Sequence, residues 1–232
     1  MDKQPKPWVI LNAAMTADGK IDSAARRGAK ISSANDWQRV DQLRAEVDAV
    51  MIGGSTLLAE DPRLTVKSPH LRQQRLEAGL APNPAKVGII SKAKLPPNGR
   101  FMRDGGARVF IFTTAKTSPE QIAALQAAGA VVELSKGDRV DLSRAIQILG
   151  AAGITRILLE GGGTLNAAMF AQGLVDELRV YLAPIIFGGS NAPTLADGRG
   201  FTPDEAVRLK TKDTQTLPDG GILIHYLVEP KF

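Results

Sequence analysis

The sequence predicts an α/β fold: a largely parallel sheet with helices on both faces and an antiparallel extension at the C-terminal end. Three observations carry this. From Trp8 to Ala171, short apolar runs alternate with helical stretches, the pattern of strands joined by crossover helices. From Glu177 onward, strand-like runs follow one another with only turns between them. The 232 residues are 44% apolar and 23% charged, enough for a buried core and ordinary for a globular chain. No linker or low-complexity segment divides residues 1–232, so they read as a single domain.

Taken in order, WVILNAA (Trp8–Ala14) reads as a buried first strand. Asp36–Val47 reads as a helix. Its Trp37, Val40, Leu43 and Val47 recur at spacings of 3, 3 and 4, and Ser33 to Asp36 resembles a capping box. Ala49–Ile52 is short and wholly apolar, as in a central parallel strand. Residues 62–85 carry Pro62, Pro69, Pro82 and Pro84 and read mostly as loop, with one short helix at Leu71–Ala78. Lys86–Ile90, Arg108–Thr113, Ala130–Leu134 and Arg156–Leu159 read as strands. Ser118–Ala128, Leu142–Ala151 and Leu165–Ala171 read as helices, each with a glycine within two residues of its end (Gly129, Gly153, Gly173). Glu177–Ala183, Val207–Lys212 and Ile222–Val228 read as strands of the tail, antiparallel at one edge of the sheet.

Composition excludes several functions. Cysteine is absent, so there is no disulfide framework, no Cys-ligated zinc and no thiol nucleophile, which fits a cytoplasmic protein. Two histidines, His70 and His225, leave almost nothing for a His-based metal site or a Ser-His-Asp triad, and both read as structural or exposed. The first 20 residues do not form a signal peptide, and no apolar run reaches membrane-spanning length. The net charge is 29 − 24 = +5, yet no basic run exceeds Arg26-Arg27 and the 11 aromatics are scattered. That argues against nucleic acid and for an anionic small molecule.

Two segments share one design. VMIGGSTLL (Val50–Leu58) and LLEGGGTLN (Leu158–Asn166) each run strand, glycine turn, Thr, helix. Gly53 and Gly54, and Gly161, Gly162 and Gly163, let backbone amides approach a ligand, and the helix start offers unpaired N–H groups to a pyrophosphate. The plain alternative is a pair of tight strand–helix turns. Neither is a Walker A loop, since no Lys follows the glycines, nor a G-x-G-x-x-G at the first strand. Glu160 ends a strand, where open α/β sheets place ligands. It reads equally as a contact to a substrate hydroxyl or amine and as a brace for the glycine turn.

EDPRLTVK (Glu60–Lys67) follows the first turn by one short helix and, with Arg44, supplies cations suited to a phosphomonoester; the alternative is ordinary surface charge. MTADGKI (Met15–Ile21) reads as a turn that either meets a cofactor ring or is a plain loop. The pair Asp176–Glu177 reads as solvated or as an interface feature.

In this order the segments resemble the reductase domain of riboflavin biosynthesis, both stand-alone and as the C-terminal half of a bifunctional bacterial enzyme. The resemblance runs from about Trp8 to Val228 and is densest at Gln42–Val66, Leu158–Leu178 and APIIFGG (Ala183–Gly189). It implies a dihydrofolate-reductase-like fold and reduction, by NADPH, of the ribosylamino group of a pyrimidinone 5′-phosphate to a ribitylamino group. It implies cofactor contacts at Ala14, Thr56, Glu60, Ser91 and the Gly162–Ala168 turn and helix, which includes Thr164, Leu165 and Asn166. It implies that Arg44, Leu64 and Lys67 hold the substrate, with Arg44 and Lys67 on its phosphate, that Glu160 faces the ribose as the candidate catalytic group, and that Gly28 and Lys30 line the site.

The sequence departs from the family where an Asp-Ser pair is common, reading Ile90-Ser91, and at Lys30, where bacterial relatives often carry an aromatic. The expected reaction is hydride transfer to C1′ of the opened ribosylamine as an imine, with no metal and no covalent intermediate. Glu160, a substrate hydroxyl and water remain open as proton donors, and Lys92 beside Ser91 is a candidate contact for the 2′-phosphate of NADPH. The resemblance also implies a homodimer, and the tail strands near Glu177–Ala183 and Ile222–Val228, read as an uncovered edge, are the surface expected to pair. Two other functions stay open: a reductase of the same fold acting on a pterin or another N-glycoside, and a catalytically silent nucleotide-binding protein.

Overall fold

The computed structural model describes residues 6–230. In chain order the elements are β1 (Trp8–Thr16), α1 (Ala34–Ala45), β2 (Ala49–Gly53), α2 (Gly54–Glu60), α3 (Pro69–Glu77), β3 (Ala85–Ile89), α4 (Arg100–Arg103), β4 (Val109–Thr114), α5 (Pro119–Ala127), β5 (Ala130–Ser135), α6 (Leu142–Ala151), β6 (Arg156–Leu159), α7 (Gly163–Ala171), β7 (Glu177–Ala183), β8 (Leu209–Thr216) and β9 (Ile222–Val228). The chain divides into two compact units: one holds Val40–Leu158, and the other joins residues 8–39 to the chain from Leu159 onward.

In the first unit the strands lie in the order β5-β4-β3-β2-β6. β2, β3, β4 and β5 pair in parallel, with Ala49 opposite Ala85, Lys86 opposite Val109, and Val109 opposite Ala130. β2, β3 and β4 are buried along their whole length, which is why they read as continuous apolar runs; β5, at the edge, is partly exposed. α6 buries Leu142, Ala145, Ile146 and Leu149, a helical i, i+3, i+4, i+7 stripe. Ser68, Ser118 and Asp141 cap α3, α5 and α6 by accepting a backbone N–H in the first turn, and Pro69 and Pro119 open two of these helices. At the start of β2, Asp48 accepts from the Thr155 amide and hydroxyl and the Arg156 amide at 2.6–2.9 Å, tying β2 to β6.

In the second unit the order is β1-β7-β9-β8. β1 and β7 are parallel, with Ile10 opposite Glu177, whereas β9 is antiparallel to both β7 and β8. The tail expectation needs correcting here. β7 is antiparallel to β9 but parallel to β1, because α7 carries the chain back before it begins. Neither β7 nor β9 is an edge, since β8 covers β9. β8 itself spans Leu209–Thr216 rather than Val207–Lys212, is exposed throughout, and shifts register between Thr211 and Asp213.

Other boundaries move by a turn or less. β1 extends to Thr16, α1 begins at Ala34, α3 at Pro69 and α7 at Gly163. Only half of the expected capping box forms: Ser33 Oγ accepts from the Asp36 amide, but the Asp36 carboxylate turns to Arg39 at 2.7 Å. α4 was hidden in a stretch with few periodic apolar residues. Glu177 is not solvated; it is buried and takes bonds from Trp8 Nε1 and Arg179, with His225 Nε2 at 2.7 Å. Asp176 accepts from the Val9 amide at 2.7 Å. These carboxylates therefore lock β1 to β7 instead of facing water.

Candidate functional site

In the first unit, β2 ends at Gly53, which adopts an extended conformation and starts α2 without a side-chain cap. Gly54 is demanded by packing: a Cβ there would lie 2.7 Å from Ile90 Cγ1. This contact sets the first turn of α2, with half-buried Thr56, against the end of β3, where Ser91 follows. The Ser91 carbonyl accepts from Thr114 Oγ1 at 2.7 Å, and the Ala93 amide donates to Thr117 Oγ1 at 2.8 Å, so the segment after β3 is anchored to the end of β4. Lys92 is exposed beside it. Glu60 closes α2 with an exposed side chain, and its carbonyl accepts from Arg100.

Beyond α2 the chain is irregular from Asp61 to Ser68, yet it is firmly held. Asp61, in the left-handed region, caps α4 by accepting from the Arg100 and Phe101 amides at 2.8 and 2.9 Å. Leu64 is also left-handed (φ 51°) and fully buried. Such a backbone costs a non-glycine residue on the order of 1 kcal/mol and persists only where the surroundings impose it. Arg44 is buried on α1 and donates to the Thr65 carbonyl at 3.2 Å. Lys67 is exposed, with its amide bonded to Asp41 at 2.6 Å. In the first unit Leu64 and Lys67 thus lie on one short stretch that Arg44 of α1 bonds at Thr65, and Gly54 packs beside Ile90, next to Ser91.

The second unit supplies the other residues. Glu160 is half-buried just after β6, and the turn that follows has Gly161 and Gly162 at φ 69° and 97°. Gly162 starts α7 and has no side-chain cap. A Cβ on Gly161 would overlap Asn166, and one on Gly163 would lie 2.5 Å from the Thr194 carbonyl oxygen. Leu165 and Asn166 are buried, and Thr164 is exposed. Asn166 Nδ2 donates to the Leu195 carbonyl at 2.8 Å, while its buried Oδ1 has no partner among the described residues. Ala14, on β1 opposite Tyr181, packs against the Ile31–Tyr181–Ala183 cluster. Gly28 and Lys30 are exposed, and the loop bearing Gly28 is organised by Asp22, whose carboxylate accepts from the Ser23, Gly28 and Ala29 amides.

Segment Asn191–Asp197, which sequence reading did not single out, braces both parts of the second unit. Its carbonyls accept from Arg26 (at Asn191), Ile21 (at Pro193) and Asn166 (at Leu195), and the Asp197 amide donates to the Gly163 carbonyl. Its only sequence signal was the turn-forming pair Asp197-Gly198.

Gly54, Gly161 and Gly163 therefore serve the chain's own packing, and the starts of α2 and α7 carry no side-chain cap. α3, α5 and α6 fill that position with Ser or Asp, whereas α2 and α7 present glycine. Uncapped first-turn amides suit an anionic dinucleotide, and the unpartnered Asn166 Oδ1 beside one of these starts is an acceptor of the kind a bound amide would satisfy.

Comparison with known proteins gives matches over most of the chain. A family profile described as the RibD C-terminal domain matches residues 7–223. The 2,5-diamino-6-ribosylamino-4(3H)-pyrimidinone 5′-phosphate reductase of Methanothermobacter thermautotrophicus is 43% identical over 97% of this chain and 99% of its own. The protein of that name from Archaeoglobus fulgidus is 40% identical over 84% and 89%. Among solved structures, a pyrimidine reductase-like protein from Corynebacterium diphtheriae superposes with a TM-score of 0.84 at 21% identity, covering 97% of this chain and 92% of that one. Dihydrofolate reductase from Enterococcus faecalis gives 0.51 at 10% identity, covering 96% and 97%.

Proposed function

We propose that this chain, which belongs to the RibD C-terminal domain family, reduces the ribosylamino group of 2,5-diamino-6-ribosylamino-4(3H)-pyrimidinone 5′-phosphate to a ribitylamino group, with NADPH as reductant. The observation that carries the reading is its 43% identity to a reductase of that name over nearly the full length of both chains. The choice of the 2,5-diamino compound over its deaminated counterpart follows from the names of the two relatives above 40% or at it. The reading takes residues 1–232 as one reductase domain of a cytoplasmic enzyme; no helix among the described residues is long and apolar enough to cross a membrane.

NADPH, when bound, supplies a hydride. The uncapped starts of α2 and α7, with Gly53, Gly54, Thr56, Gly161, Gly162, Gly163, Thr164, Leu165 and Asn166, are the residues suited to hold it, together with Ala14, Glu60 and Ser91. The rest of the work belongs to orientation. Arg44 and Lys67 hold the 5′-phosphate, Leu64 packs beside it, Gly28 lies on a loop at the substrate side, and Glu160 bonds the ribose. Opening the ribosylamine exposes C1′ to the hydride, and the adjoining nitrogen takes one proton. Burying the reacting carbon away from water and fixing its approach are the protein's share of the catalysis.

The test is NADPH oxidation followed at 340 nm, with the two ribosylaminopyrimidinone phosphates offered separately. Turnover of the 2,5-diamino compound is expected. NADPH binding with turnover of neither compound, and turnover of a dihydropterin instead, would reassign the substrate.

A further inference from the structure

The stretch from Thr65 to Ser68 belongs to no helix or strand, yet its polar backbone groups are bonded one after another, mostly by side chains. The Thr65 carbonyl accepts from Arg44 Nη1 at 3.2 Å. The Val66 amide donates to Asn83 Oδ1 at 2.9 Å. The Val66 and Lys67 carbonyls both accept from Arg72 Nη1, at 2.8 and 2.7 Å. The Lys67 and Ser68 amides donate to the two carboxylate oxygens of Asp41, at 2.6 and 2.8 Å. Irregular surface chain normally leaves such groups to water. Here four side chains from three separate places replace the neighbour strand that a sheet would have supplied. Asp41 and Arg44 lie three residues apart on α1, hence on one face, and they grip opposite ends of the stretch. Asn83 is buried and also donates to the Gly105 carbonyl, so the cradle is itself anchored.

We infer that Asp41, Arg72 and Asn83 are positioning residues for the substrate phosphate. They fix the backbone of Lys67, an exposed residue, so that its side chain meets the phosphate in one place, without the entropy cost of ordering the loop at each binding event. The inference rests on the reaction proposed above and deepens it: affinity for the phosphate resides in the cradle as much as in the cation. None of the three touches the reacting carbon, so each acts through Lys67.

A double-mutant cycle between Asp41→Asn and Lys67→Ala tests this, with phosphorylated and dephosphorylated substrate compared. Asp41→Asn loses one of two acceptors and is expected to raise KM for the phosphorylated substrate about tenfold, the usual scale for a lost charge-assisted bond. KM for NADPH and turnover of the dephosphorylated substrate should stay within about twofold. In the Lys67→Ala background the same change should add less than about twofold, because the two act as one unit. The Lys67–Ser68 bond should also become open to trypsin in Asp41→Asn. Should Asp41→Asn fail to fold, Arg72→Met, which keeps much of the stem but removes the donor to both carbonyls, runs the same cycle. Full additivity, equal losses on both substrates, or an unchanged KM overturns the inference alone. If wild-type protein oxidises NADPH with neither pyrimidinone phosphate, the reaction reading falls and takes this inference with it.

Discussion

Lys86 opens the apolar run of β3, where an ammonium group looks misplaced, and it is completely buried. Its Nζ donates to the Phe101 carbonyl at 2.9 Å and to those of Arg100 and Asp104, so it caps the C-terminal end of α4 from beneath. Burial pulls its pKa down from 10.5 to about 8, against the pull of Asp104 and Asp61. The folded value lies below the unfolded one, so the unfolded chain binds more protons between about 8 and 10.5. Stability relative to Lys86→Met should therefore rise across that range; urea unfolding of both proteins at several pH values reads it, and a flat difference would contradict it. The residue was legible as part of a strand but not as a cap, because its acceptors lie 14–18 residues downstream in a stretch without periodicity. Leu64 was legible only through resemblance, since nothing in RLTV announces a left-handed backbone.

At the scale of elements, the glycine turns were readable because strand, glycines and helix follow directly in the chain. What each glycine avoids was not. Gly161→Ala should both strain a left-handed backbone and crowd Asn166. A loss of about 2 kcal/mol in unfolding free energy is expected. Part of it should be recovered in Gly161→Ala/Asn166→Ala by relief of the contact, whereas a purely backbone cost would recover nothing. Asp48 serves the opposite ends of the strands. Burial acts to raise its carboxyl, but bonds from Thr155 and Arg156 outweigh it and hold the group below the usual carboxylate range. Its contribution is thus present above about pH 4 and lost as pH falls further. Asp48→Ala should cost about 2 kcal/mol at pH 7, measured by urea unfolding, and much less at low pH. Sequence reading placed Asp48 only as the residue between α1 and β2, because its partners stand 107 and 108 residues away.

For the molecule as a whole, a net charge of +5 sets a field that favours anionic ligands. kcat/KM for the phosphorylated substrate should fall severalfold as salt rises from about 0.05 to about 0.5 M, and fall less for the dephosphorylated one. The homodimer carried by the family resemblance is a further proposal, and light scattering at micromolar concentration tests it; a monomer would refute it. Simple edge-to-edge pairing is disfavoured, since β8 carries Lys210 and Lys212 and an irregular register. The division into units also bears on how the molecule is made. β1 leaves the ribosome well before β7, its parallel neighbour, which begins 167 residues after Ile10. At about 5–20 residues per second that is a delay of roughly 8–33 s. Through that interval all of the first unit emerges, while a sticky WVIL end waits for its neighbour. Nascent chains should thus be most dependent on chaperones before Glu177 appears, and a shortened transcript ending in α7 should yield aggregates rather than a smaller folded protein.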